Sequence, residues 1–151
     1  VGYIITDKSM AEQDYEPVFS GYGFLESHVG GAAIVKMISQ KRPNVPFQWT
    51  AKKAFQEAIH GDPIALEIVD EAISHIAYAL VNVITLFNPE CVVLGGGISR
   101  SSHWFLPKIN QVLDKHLPLQ TELLVTELEH VSLIGAASLC LREHDSLLKT
   151  D

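Results

Sequence analysis

The stretch Asn88-Pro89-Glu90-Cys91-Val92-Val93-Leu94-Gly95-Gly96-Gly97-Ile98-Ser99 decides how this chain folds. Asn88-Pro89 stops the preceding helix, a short β-branched strand follows, and a glycine triplet ends it before a new amphipathic segment. In α/β proteins, a buried strand that ends in glycines and opens into a helix brings bare backbone up to a ligand. Without a Cβ the chain turns with positive φ, and its amides are open to close approach. Ligands of such sheets sit at the carboxyl ends of the strands, where Gly95, Gly96 and Gly97 lie. The spacing is not Gly-x-Gly-x-x-Gly, because Ile98 and Ser99 lead to Arg100, and no Gly-Lys-Ser/Thr follows to make a P-loop. Two readings stand for the triplet: a nucleotide contact, or a tight strand-to-helix turn with no ligand.

Working outward, residues 63–87 keep apolar residues at helical spacing, with Asp62 as cap and Pro63 at the first helical position. Residues 76–87 are apolar nearly all round, which predicts burial between layers. Upstream, Thr50 caps a short helix over 51–60, and residues 24–40 read as helical. Gly30-Gly31 inside that stretch signals either a break between two helices or a place of close packing. Residues 2–6 predict a strand, residues 7–16 a polar loop, and Pro17-Val18-Phe19 a short strand or an anchored loop. Downstream, a helix over 102–117, a strand over 122–126 and a last helix from about Ser132 complete the pattern. Gly135-Ala136-Ala137 allows close packing of that last helix, and the tail from His144 reads as frayed. Strand, helix, strand, helix at these lengths implies parallel crossovers.

A chain of 151 residues holds one domain with a real core. Its 47% hydrophobic content and mean hydropathy of +0.16 exclude a disordered chain. A net charge of −7 with no strong basic cluster argues against nucleic-acid binding by this chain, since neutralising phosphates needs a positive face. Cys91 and Cys140 sit in apolar runs and read as reduced core thiols of a cytoplasmic protein. No apolar run reaches the roughly 20 residues of a membrane span. The chain starts at Val1 and runs at once into its first expected strand, which suggests a piece of something longer.

The order of these landmarks resembles the C-terminal part of the ROK family of sugar kinases and sugar-responsive repressors. The residues that carry the resemblance are Gly2-Tyr3, Gly23-Phe24-Leu25-Glu26, Gly61-Asp62 with Ala65, Asn88-Pro89-Glu90, Gly95 to Ser99, and Gly135-Ala136-Ala137. The implied fold is α/β: the C-terminal lobe of an actin-like (ribonuclease H-like) ATPase, parallel strands with flanking helices, of which residues 1–151 are a part. The resemblance implies ATP with Mg as cofactor in a full-length parent, and a sugar as ligand. It also implies a missing N-terminal lobe as partner, a homo-oligomer, and no membrane association. Gly95, Gly96 and Gly97 would take the adenosine side of ATP, and Glu26 would contact the sugar. A carboxylate suits that role because it accepts strong hydrogen bonds from adjacent hydroxyls. The alternative for Glu26 is a solvated acid in a first helical turn, where the helix dipole favours it.

Departures from the family pattern sharpen the expectations. Many members bind a structural zinc through a histidine and three cysteines. Here Tyr3 replaces the histidine, and Pro17, Phe19 and Phe24 occupy the cysteine positions, so no zinc is expected. His28 lies nearby and reads as a surface or supporting group. The family's Asp-x-Gly-Gly-Thr phosphate turn, its Asn-Asp pair with the catalytic base, and its Gly-Thr-Gly-x-Gly turn do not occur within residues 1–151. No catalytic residue is therefore assigned to this chain. The sugar-kinase reading has a sugar-sensing repressor domain as its alternative.

Overall fold

The architecture comes from a computed structural model that describes residues 2–12, 23–43, 48–96, 101–126, 128 and 130–147, with backbone alone for 131, 132 and 142–147. The strand or loop expected at Pro17-Val18-Phe19 and the third glycine, Gly97, lie outside these residues. The elements in chain order are α1 (Lys8–Ala11), α2 (Phe24–Val29), α3 (Gly31–Lys41), α4 (Ala51–Ile59), α5 (Pro63–Phe87), β1 (Cys91–Leu94), α6 (Ser102–His116), β2 (Glu122–Val125) and α7 (Val131–Leu147).

Helix α5 is the axis of the molecule, and local chemistry sets both its ends. The Asp62 carboxylate accepts the Ala65 N–H at 2.8 Å, Pro63 supplies a preset φ, and Asn88 closes the helix in the left-handed region at φ 41°. Ala65, Ile68, Val69, Ala72, Ile73, Ala77, Leu80 and Ile84 form its buried stripe. Helices α3, α4 and α6 lay Ile34 and Ile38, Phe55 and Ala58, and Phe105 and Ile109 into that core, with the Phe55 and Phe105 rings 6.5 Å apart. Each large side chain so buried contributes about 1.5–3 kcal/mol relative to exposure. Thr50 caps α4 as expected, accepting the Lys53 N–H at 3.1 Å. Gly30 breaks the 24–40 stretch into two helices.

Strands β1 and β2 pair in parallel, from Cys91 opposite Glu122 to Leu94 opposite Val125. Val92, Leu94 and Leu123 pack against the helical core, whereas Val93 and Leu124 face outward. Both strands therefore end together, and Gly95 and Thr126 follow them side by side.

Five expectations are corrected. Residues 4–6 form no strand, because a strand exists only within a ladder, and among the described residues only β1 and β2 pair. Part of the expected polar loop is helical instead: Asp7 accepts the Met10 N–H at 2.8 Å and starts α1. Residues 76–87 are not buried all round; Tyr78, Leu86 and Phe87 are exposed, because the core covers only one side of α5. Cys91 and Cys140 are exposed rather than core thiols. Cys91 alternates with the inward Val92 and so points away from the core, while Cys140 shares α7 with the exposed Leu139 and Leu141. Finally, α7 runs on to Leu147 where a frayed tail was expected from His144, and among the described residues nothing lies within 4 Å of a Cβ built at Gly135.

Candidate functional site

The first group of candidate residues sits where the two strands end. Thr126 continues the ladder, its N–H donating to the Leu94 carbonyl at 2.9 Å. A Cβ on Gly95 would stand 3.0 Å from Thr126 Cγ2, tighter than side chains normally pack. Gly96 turns with φ +94°, a region that strains any residue with a side chain, and a Cβ there would enter open space. The positive φ explains the glycine as a turn, and among the described residues the space beside it lies at the carboxyl end of β1.

The second group is built around Glu26. Gly23 is buried, and a Cβ on it would lie 2.1 Å from the Gly2 carbonyl oxygen, so no side chain fits. The Gly2 carbonyl in turn accepts the Leu25 N–H at 3.0 Å. The structure thereby joins Gly2-Tyr3 and Gly23-Phe24-Leu25-Glu26, two motifs far apart in the sequence. The Glu26 carboxylate is exposed in the first turn of α2, with its Oε2 3.5 Å from the Cβ position of Gly2. Glu26 and the glycine turn have separate surroundings, the one among Gly2 and Gly30, the other beside Thr126.

Between α2, α5 and the Thr6-Asp7 segment lies a cluster that sequence reading missed. His75 of α5 is only 5% exposed, and its Nδ1 is 2.8 Å from the Thr6 hydroxyl. Its Nε2 has no hydrogen-bond partner; Asp7 Oδ2 is 3.6 Å away and Glu71 Oε1 4.0 Å. The His28 ring meets the His75 ring edge-on at 5.2 Å, and His28 Nδ1 lies 2.9 Å from the Phe24 carbonyl. Burial holds the His75 imidazole below the ordinary histidine range, His28 adds to this, and Asp7 and Glu71 oppose it. One signal was available: His75 falls on the buried stripe of α5, between Ala72 and Ala79.

Among the described residues, no three or more His, Cys, Asp or Glu side chains are grouped to hold a metal. A shallow depression of about 450 Å³ opens at the other ends of the strands, lined by Glu90, Asn110, Asp114, Gln120 and Glu122. Three carboxylates there repel a polyphosphate, and the amino ends of parallel strands are not where such sheets bind ligands. No helix among the described residues is long and apolar enough to cross a membrane.

The parallel strands and flanking helices are those of the actin-like ATPase fold. A ROK family glucokinase from Streptomyces griseus, solved with glucose and AMPPNP, superposes with a TM-score of 0.63 at 23% identity, over 78% of this chain and 44% of that one. The chain belongs to the ROK family, whose sequence model matches residues 21–143. A glucokinase of Thermotoga maritima is 37% identical over 99 residues, 62% of this chain and 31% of that protein. The DNA-binding transcriptional dual regulator NagC of Escherichia coli K12 is 30% identical over 131 residues, 80% of this chain and 32% of that protein. The chain spans about a third of the length of these two relatives.

Proposed function

We propose that residues 1–151 form part of the C-terminal lobe of a cytoplasmic, ATP-dependent kinase of hexose-type sugars. The observation that supports this reading is the position of Gly96 at the carboxyl end of a parallel strand, where among the described residues a Cβ would meet nothing within 4 Å. Gly95 and Gly96, with Gly97 next in sequence, hold the adenosine side of Mg-ATP. Glu26 orients the sugar by accepting hydrogen bonds from its hydroxyls. ATP supplies the phosphoryl group, and Mg accompanies its phosphates. The catalytic base and the phosphate-binding turns come from the rest of a longer parent polypeptide, which works as a homo-oligomer. Phosphoryl transfer rests on positioning and electrostatics around the phosphates, so residues 1–151 alone are not a competent enzyme.

The second reading is the sugar-sensing domain of a repressor, favoured by one observation: the NagC match covers more of this chain than the glucokinase match does. A helix-turn-helix elsewhere in the parent would mark that case.

A pair of substitutions in the parent tests the kinase reading. Gly96→Val should raise the KM for ATP far more than that for the sugar, because a side chain at Gly96 enters the open space and strains the backbone. Glu26→Gln should do the reverse, weakening the sugar by about ten- to a hundredfold, the worth of a charge-assisted bond. Equal effects of either change on both substrates contradict it.

A further inference from the structure

A buried histidine on an apolar helix stripe is costly, because at least one ring nitrogen must find a partner in low dielectric. Alanine or valine at position 75 would extend the pattern of Ala72 and Ala79 without that cost. What the imidazole adds is contact to two other pieces of chain at once. One is the Thr6-Asp7 segment, through the 2.8 Å contact of Thr6 Oγ1 with Nδ1. The other is α2, through the edge-on His28 ring. These two pieces also bond each other directly, Leu25 N–H to the Gly2 carbonyl. The three contacts close a triangle, and Glu26 stands on its α2 side, facing Gly2.

Proton placement in this triangle follows from acceptor strength. The Thr6 hydroxyl has one hydrogen and two acceptors in reach, His75 Nδ1 at 2.8 Å and Met10 Sδ at 3.3 Å. An imidazole lone pair is the better acceptor than a thioether, so the hydroxyl donates to Nδ1. The ring proton then resides on Nε2, which faces the Asp7 and Glu71 carboxylates. His28, Asp7 and Glu71 are the titratable groups that face His75 from α2, from the cap of α1 and from α5 itself. The same Asp7 carboxylate starts α1 through Met10, so the segment that carries Gly2 and Thr6 is anchored just beyond the clasp.

We propose that His75 is a positioning residue. Its imidazole clasps residues 2–7 to α2 and so holds the Glu26 carboxylate where it meets a polyhydroxylated ligand. The inference rests on the reading of Glu26 as the sugar contact.

The test compares His75→Phe, which keeps a ring but loses the nitrogens, with His75→Asn, which keeps a polar partner for Thr6. Amide hydrogen exchange in the parent polypeptide reads the clasp, and steady-state kinetics reads its consequence. In His75→Phe the Leu25 amide should exchange at least about tenfold faster while the interior of α5 keeps its protection, and His75→Asn should recover part of the difference. The sugar KM should rise in His75→Phe with the KM for ATP unchanged. Unaltered Leu25 protection overturns the proposal, and so does a loss spread evenly through α4 and α5, which marks a purely structural role. A faster Leu25 amide with an unmoved sugar KM also overturns it, provided that Glu26→Gln moves that KM. If neither variant moves the sugar KM, the error lies in the assignment of Glu26, and the proposal falls with it.

Discussion

At the scale of residues, His75 carries a pH signature of its own. Its folded pKa is depressed below the ordinary 6.5, with burial the first cause and His28 the second. The neutral ring is favoured in the folded state, so this stability is fully present above about pH 6.5 and is lost as pH falls below it. Asp7 and Asp62 act in a lower window. Each is held below 3.8, first by a backbone N–H, from Met10 and Ala65 respectively, so their contribution is lost only as pH falls under that value. Urea midpoints measured from pH 7 to pH 5 should therefore decline more steeply for the natural chain than for His75→Phe; parallel profiles would assign the decline to other groups. Glu26 and the glycine triplet were legible as candidates because their motifs are short and local. The His75 clasp was not, because nothing in the sequence brings Thr6 and His28 to one helix face.

Elements were legible where their ends are set locally. Asp62 and Pro63 start α5 and Asn88 closes it, Thr50 starts α4, and Gly30 separates α2 from α3. None of these depends on distant chain. The Asp62 carboxylate carries a second duty, meeting Arg42 at 2.5 Å, while Arg42 also lies over the Trp49 ring. Asp62→Ala should cost about 1–2 kcal/mol for the cap alone, seen as a thermal midpoint lower by roughly 2–8 °C. A midpoint within a degree of the natural chain would remove the cap from the account of α5. Gly23→Ala should act on a different element. Its Cβ collides with the Gly2 carbonyl, so the junction of residues 2–3 with α2 opens while α4 and α5 hold, a pattern that hydrogen exchange resolves. The expected strand over 2–6 failed for the complementary reason: strands are read from alternation but exist through partners, and among the described residues 4–6 have no ladder to join.

At the scale of the whole molecule, the apolar surface is the informative feature. Leu86 and Phe87 at the end of α5, Val93 on the sheet, and Leu133, Leu139 and Leu141 on α7 are all more than half exposed. Composition foretold a well-packed core and the core is there, but composition counts apolar residues without saying which face receives a neighbour. Exposed apolar area on this scale marks surfaces that associate. Sedimentation of residues 1–151 alone should therefore show self-association, relieved when the rest of the parent is present. The central claim, that the glycine turn and Glu26 serve phosphoryl transfer to a sugar, meets its most direct test in ADP release with a panel of hexoses. The parent polypeptide should release ADP only when an accepted hexose is added, and residues 1–151 alone should release none. Hexose-dependent release from the 151-residue chain, or a parent that releases none while its DNA binding responds to sugar, would contradict the account.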